Sequence, residues 1–280
     1  MPLKKLQLKP GVNRENTRYT NENGWYECDK IRFRQGTPEK LGGWRRLSSA
    51  TFSGICRSLW NWFTLSNENI LGVGTNEKFY LELGGAYYDI TPLRDTETLT
   101  DPFATTDTLT LVTVTDVAHG CVNGDYVTFS GASTVGGLDL NNEYQVTVID
   151  VDTYTITAAT AATSTATGGG TVTAAYQINI GPAFVVPLSG WGAGPWGFGS
   201  WGIGETTEED LRLWSQSNFG ENLVFGPRGG QIYYWKANTG VASRAVLLSS
   251  EVGATGVPIH QNYLLVSDVS RFVFAFGTND

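Results

Sequence analysis

Histidine and cysteine are nearly missing, with two of the first and three of the second in 280 residues. No HExxH, GxSxG or Walker loop occurs, so the familiar metalloprotease, serine-hydrolase and nucleotide-phosphate sites have no residues to be built from. His119 lies in an Ala-His-Gly turn and His260 opens a strand, and a structural or surface role is expected for both. Cys28, Cys56 and Cys121 are an odd number without CxxC spacing. That argues against a disulfide framework or a zinc site, and for buried thiols in a reducing compartment. The opening MPLKKLQLKPG lacks the apolar core of a signal peptide. No stretch approaches the roughly 18–20 apolar residues of a membrane helix, so no membrane anchoring is expected. Long runs with helical periodicity are also missing; one short helix is expected from Thr206 to Leu213.

Two-residue alternation is abundant instead. VTVTD (112–116), YQVTVID (144–150), TYTITA (153–158) and TVTAAYQINI (171–180) alternate Thr, Val and Tyr between Gly, Asn and Asp breaks. The fold class is therefore all-β. A repeat is visible at Asn69-Ile-Leu-Gly-Val-Gly-Thr with Lys78-Phe-Tyr-Leu, at Asn222-Leu-Val-Phe-Gly-Pro-Arg with Gln231-Ile-Tyr-Tyr-Trp, and at Asn262-Tyr-Leu-Leu-Val-Ser-Asp with Arg271-Phe-Val-Phe-Ala-Phe. Each unit is an apolar strand, a turn and an aromatic-rich strand, which suits β-propeller blades, incomplete within this chain. Between the first two units, residues 95–180 hold about five alternating strands. They read as an inserted small β-sandwich or barrel-like domain, with 160–170 as a low-complexity connection. The expected organisation is an N-terminal arm and first blade (1–94), the inserted domain (95–180), and a Gly/Trp-rich segment with further blades (181–280).

The net charge of -8 hides an asymmetry. Residues 1–50 hold eleven Lys/Arg against five Asp/Glu, a local +6, whereas 95–180 hold ten Asp/Glu and no Lys or Arg. The polar run before Gly24 reads as an extended arm. Arg14, Arg32, Arg34 and Trp44 stand among interleaved aromatics and suit docking on an acidic protein neighbour rather than gripping DNA. The stretch GWGAGPWGFGSWGIG (190–204) places Trp191, Trp196 and Trp201 five residues apart, with Phe198 between, on a glycine backbone. Exposed together these rings would be an aggregation hazard, so they are expected to be buried against a blade or another subunit. The GxGxxG matches here are by-products of the glycine repeat, since neither sits in a βαβ unit. No catalytic, cofactor-binding or metal-binding residue is expected.

Lys30-Ile-Arg-Phe-Arg-Gln-Gly-Thr-Pro-Glu-Lys-Leu-Gly-Gly-Trp44 resembles the opening of tail hub or nozzle proteins of short-tailed bacteriophages, similar to packaged-DNA stabilisation proteins and tail tubular protein B. Arg57-Ser-Leu-Trp60, Gly72-Val-Gly-Thr75, Tyr88-Asp-Ile-Thr-Pro92, the Gly/Trp run, Leu213-Trp214 and Gly220-Glu-Asn-Leu223 continue that pattern in order. Residues 112–172 are similar to small β modules inserted in many virion proteins. The resemblance implies a non-enzymatic structural subunit of a virion tail, made in the host cytoplasm. It implies a homo-oligomeric, six-fold ring with portal and adaptor proteins above, tail fibre or tip proteins nearby, and double-stranded DNA passing without sequence-specific binding. The alternative is a glycan- or receptor-binding propeller module.

Overall fold

Strands form where Thr, Val and aromatic residues alternate, and turns form at Gly, Asn and Asp. The computed structural model describes residues 8–15, 17–43, 46, 48–184 and 211–278, which fall into two units, 1–49 and 50–280. Only strands and two short 3-10 turns occur among the described residues, so the protein is all-β.

In the first unit, β1 (Ile31–Arg34) pairs antiparallel with β2 (Thr37–Lys40). The connecting Gln35 and Gly36 take φ of 48° and 81°. Two positive φ values in a two-residue loop define a type I′ turn, whose twist matches that of the strands. The polar run before Gly24 is not extended. It folds back, with the Lys9 N–H donating to Asn23 O at 2.7 Å and the Asn13 N–H to Trp25 O at 2.9 Å. Trp25 gives the reason, because its ring packs on Phe33 with centroids 6.1 Å apart and draws the run in beside it.

The second unit contains three blades. Blade 1 is the meander β3 (Cys56–Phe63), β4 (Asn69–Thr75), β5 (Phe79–Leu83) and β6 (Ala86–Asp89). The chain then builds a sandwich from β7 (Leu93–Thr100), β8 (Phe103–Thr105), β9 (Leu111–Thr115), β10 (Tyr126–Ser130), β11 (Glu143–Gln145), β12 (Thr147–Val148), β13 (Thr153–Thr157), β14 (Ala166–Gly168) and β15 (Thr171–Gln177). Blade 2 follows as β16 (Trp214–Phe219), β17 (Asn222–Pro227), β18 (Tyr233–Trp235) and β19 (Val246–Leu247). Blade 3 is a hairpin, β20 (Tyr263–Val266) with β21 (Val273–Phe276). The blades do not close a ring among the described residues.

Blade 2 is buried on both faces, and its alternation separates two apolar sets rather than apolar from polar. Leu223, Phe225, Tyr233 and Trp235 join Phe79, Leu81 and Ile90 of blade 1 and its exit in one core. Val224 and Ile232 join Leu264 and Val266 of blade 3 in another. The first strands of successive blades lie closest: β16 runs between β3 and β20. β20 thus occupies a first-strand position, although its sequence aligns by eye with the second strands of the earlier units.

The sandwich has nine strands rather than about five, in sheets ordered β11-β10-β15-β7 and β12-β13-β9-β8-β14. The additional strands are mostly two or three residues long, too short to show a period. One of them, β14, lies inside the low-complexity connection. Val112, Val114, Val127, Phe129, Ile156 and Val172 fill the space between the sheets. Two tyrosines bring hydroxyls into this core. Tyr154 and Tyr176 share a hydrogen bond of 2.7 Å, and Tyr176 donates to the buried Asp116. Burial pushes both phenols far above their usual pKa, so they serve as neutral donors. Tyr176→Phe should cost about 1–3 kcal/mol, because it strips a buried carboxylate of its donor without removing the carboxylate. Thermal unfolding of the variant measures this; an unchanged melting temperature would refute it.

Candidate interaction surfaces

The contact between blades 1 and 2 is built on two glycines. On β16, Trp214, Gln216 and Asn218 point toward blade 1, as period two requires. A Cβ on Gly74 would stand 2.6 Å from Cδ1 of Trp214 and 2.5 Å from Oγ of Ser58, and one on Gly72 would stand 2.7 Å from Oε1 of Gln216. Gly72-Val-Gly74 therefore opens a slot for the facing strand. Trp214 fills it, donates its Nε1 proton to Thr75 O at 2.6 Å and meets Phe79 edge-on at 5.1 Å. Phe79 stacks on Phe225 at 4.1 Å, and the indole of Trp60 donates to Asn218. On the other face of β16, Ser215 and Ser217 accept the backbone N–H groups of Leu264 and Val266 at 3.2 and 3.1 Å. The hydroxyls satisfy the edge of β20, which would otherwise be buried unpaired.

Four charged side chains hold the sandwich to the blades. Lys78, only 4% exposed, donates to Asp89 Oδ2 at 3.0 Å and to Glu143 of the sandwich. Arg244, from the loop between β18 and β19, reaches the same carboxylates at 3.4 and 3.5 Å and donates to Thr91 O at 2.8 Å. Gln177 bridges them with Nε2 at 3.3 Å from Asp89 and 2.6 Å from Glu143. The Lys78 ammonium also lies 4.1 Å from the Tyr126 ring centre. Burial alone would raise the Asp89 pKa, but Arg244 and Lys78, with hydrogen bonds from Thr91, hold it below the usual carboxylate value. A second link joins Arg212 to the sandwich exit: it donates to Asn179 O at 2.7 Å and lies over Trp214 at 5.6 Å. Sequence reading missed this cluster. Its one signal was the lack of Lys and Arg in residues 95–180, which leaves carboxylates such as Glu143 to find cations elsewhere.

The basic candidates occupy the first unit. Arg14 pairs with Glu27 at 3.5 Å and lies 5.8 Å from the Tyr26 ring centre, and Arg18 does likewise at 3.4 and 5.1 Å. Arg32 pairs with Glu39 across the β1–β2 hairpin at 3.2 Å. Arg34, exposed near the turn, pairs with no carboxylate among the described residues. Strands thus bring Arg32 and Arg34 to the same face, while Arg14 belongs to the Glu27–Tyr26 cluster. Trp44, Trp191, Trp196, Phe198 and Trp201 lie outside the described residues, as does most of the short helix expected at 206–213; its last residues, 211–213, are irregular.

His119 and Cys121 are close, but not wired as base and nucleophile. The imidazole accepts the Cys121 backbone N–H on Nδ1 at 3.1 Å and contacts Asp150 O through Nε2 at 2.9 Å, the pattern of a neutral Nε2–H ring. Burial pushes the Cys121 thiol up to about 12 against the opposing pull of Arg94, which leaves little thiolate near neutral pH. His260 is exposed, with Nδ1 3.1 Å from Gly229 O, and β20 starts three residues later. The cysteines are free, but none is fully buried, contrary to expectation: Cys28 and Cys121 are half-buried, and Cys56, at the start of β3, is exposed. No helix among the described residues is long and apolar enough to cross a membrane, and no group of three His, Cys, Asp or Glu among them is placed to hold a metal.

One blade face has no partner among the described residues, and another is covered only in part. On blade 3, Tyr263 and Leu265 oppose Phe276 and Phe274, and Phe272 continues the row. All five are exposed, Phe272 by 65%. On blade 1, Leu59 and Phe63 point away from blade 2 and are 61% and 62% exposed, whereas Val73 and Tyr80 of the same face are buried, with Phe52 packed on Tyr80 at 6.1 Å.

No family model matches the chain, and no curated protein matches it. Among solved structures, the phage phi92 endosialidase is similar at 16% identity and a TM-score of 0.27, over 83% of this chain and 35% of that one. The chain spans about a third of that protein's length, and so slight a likeness carries no inference about fold or role.

Proposed function

We propose that the chain is a structural subunit of a bacteriophage tail hub or nozzle ring that extends the DNA channel below the portal and adaptor. The observation that carries this reading is where the resemblance motifs meet. Gly72 and Gly74 of one motif form the slot for Trp214 of another, 140 positions away in the chain. Trp60 bonds Asn218, and Tyr88–Pro92 supplies Asp89 and Thr91 to the ionic clamp. Several residues of the motifs that resemble the family, Trp60, Gly72, Gly74, Asp89, Thr91 and Trp214, are among those that join blade to blade and blade to sandwich. A family sharing a propeller scaffold would keep such residues together.

Charge assigns the faces. Acidic residues of the sandwich face the channel and repel phosphates, effective over about 8 Å at physiological salt. The Arg32–Arg34 hairpin faces protein neighbours, where complementary charge guides association. Cryo-electron microscopy of purified particles tests both points. A ring around the tail axis is expected, with Arg14, Arg32 and Arg34 turned away from the lumen. Peripheral spikes would favour a receptor- or glycan-binding module, and arginines lining the lumen would reverse the charge assignment.

A further inference from the structure

We infer that the main chain deamidates itself at Asn23-Gly24 in the first unit, and that the second Asn-Gly pair, Asn123-Gly124, is protected by its hydrogen bonds. The sequence holds these two Asn-Gly pairs. Glycine at the second position leaves the attacking backbone nitrogen unshielded by a side chain. In the reaction the Gly24 nitrogen attacks Cγ of Asn23. Its proton passes to the side-chain amide nitrogen, which departs as ammonia, and a five-membered cyclic imide remains. Water then opens the ring at either carbonyl. Opening at the side-chain carbonyl gives aspartate. Opening at the main-chain carbonyl gives isoaspartate, in which the chain runs through the former side chain. The balance is one water consumed and one ammonia released, with no oxidant or reductant.

The structure separates the two sites. At Asn123 both reacting groups are engaged: Oδ1 accepts the Val148 N–H at 2.7 Å, and the Gly124 N–H donates to Val146 O at 2.8 Å. Swinging the carboxamide over the Gly124 nitrogen breaks both bonds. Asn23 is exposed in a turn with φ of 57°, and its side chain makes no hydrogen bond to a described residue. The Gly24 N–H donates to Asn21 O at a longer 3.2 Å. The Asn23 carboxamide is therefore free to rotate onto the nitrogen. Conversion strikes the first unit where its polar run is held. Asn23 O and Trp25 O receive the Lys9 and Asn13 N–H groups. Isoaspartate turns the Asn23 main-chain carbonyl into the new carboxylate and adds one atom to the chain before Gly24, so the two bonds lose their spacing. Either product also adds a negative charge to a segment, residues 1–50, that holds eleven Lys/Arg against five Asp/Glu. The inference stands apart from the ring reading, because the chemistry needs no neighbour.

The test ages the full chain in warm, mildly alkaline buffer, with peptide mapping by mass spectrometry and isoaspartate detection to place the products. Asn23 should convert at least about tenfold faster than Asn123, the factor that one or two hydrogen bonds supply. In denaturing urea the two should convert at similar rates, because the protection is structural. Asn23→Gly suits the left-handed turn and removes the carboxamide. It should abolish conversion in the first unit and leave the slow rate at Asn123 unchanged. Hydrogen exchange at the Lys9 and Asn13 amides should rise in the aged chain but not in the aged variant. Equal rates at the two sites of the folded chain, or an Asn23 that stays intact there, would overturn the site assignment. A rate gap that persisted in urea would assign the difference to local sequence and overturn the structural account. Unchanged exchange in converted chains would overturn the effect on the polar run.

Discussion

Replacing Lys78 with methionine is expected to destabilise the unit formed by residues 50–280 by about 3–5 kcal/mol, the usual cost of removing one partner from a buried ion pair. Methionine keeps much of the length and apolar bulk of the stem, so packing is nearly conserved and charge is what changes. Two cations now face two carboxylates; in the variant Arg244 alone faces Asp89 and Glu143. The sandwich should loosen from the blades before either core melts, because Glu143 belongs to the sandwich and Asp89 to blade 1. Calorimetry should show a lower and broader transition. The pH dependence supplies a second reading. The Asp89 pKa is depressed in the folded state, so its contribution is fully present above the unfolded carboxylate value of about 3.9 and is lost as pH falls through the lower folded value. The difference between wild type and variant should therefore shrink at acid pH. Asp125 and Glu97 shift in the opposite direction, mainly by desolvation. They are common to both proteins and cancel in the comparison. A difference that stayed constant from pH 7 to pH 3 would sink the electrostatic account.

Trp214→Ala should cost a comparable 3–5 kcal/mol or so, through a cavity between two sheets that the glycine slot cannot collapse to fill. The Thr75 carbonyl would also lose its indole donor, and Phe79 an edge-on neighbour. Gly74→Val attacks the same slot from the opposite side. Its Cβ alone would come within 2.6 Å of the Trp214 ring, and overpacking a fitted core costs about 1–3 kcal/mol. The two changes must couple. With Trp214 reduced to alanine, the valine loses its clash with the indole and keeps only the one with Ser58 Oγ, so the double variant should be more stable than the sum of the single losses predicts. Denaturant midpoints for the four proteins of this cycle provide the check. Strict additivity would mean that Gly74 and Trp214 do not share the slot.

Alternation of Thr, Val and Tyr determined by itself that this chain is all-β. It also marked the inward face of strands within residues 95–180, because a strand with one buried face records that face at every second residue. Val112 and Val114, or Val127 and Phe129, need no tertiary information to be recognised as inward. The same rule was silent where both faces are buried. Along β16, the sequence Trp-Ser-Gln-Ser-Asn-Phe carries no apolar period, yet Trp214 faces blade 1 and Ser215 faces blade 3. The resemblance motifs were readable one by one, but that Gly74 lies beneath Trp214 depends on sheet packing across a separation of 140 residues. Charge behaved the same way. The acidic bias of residues 95–180 was plain in composition, whereas the choice of Lys78 and Arg244 as the cations that neutralise Glu143 was made by the docking of the sandwich on the blades. Local periodicity is an intrinsic property of one strand and survives in the sequence. A contact between strands distant in the chain is a property of the pair, and only the tertiary structure decided it.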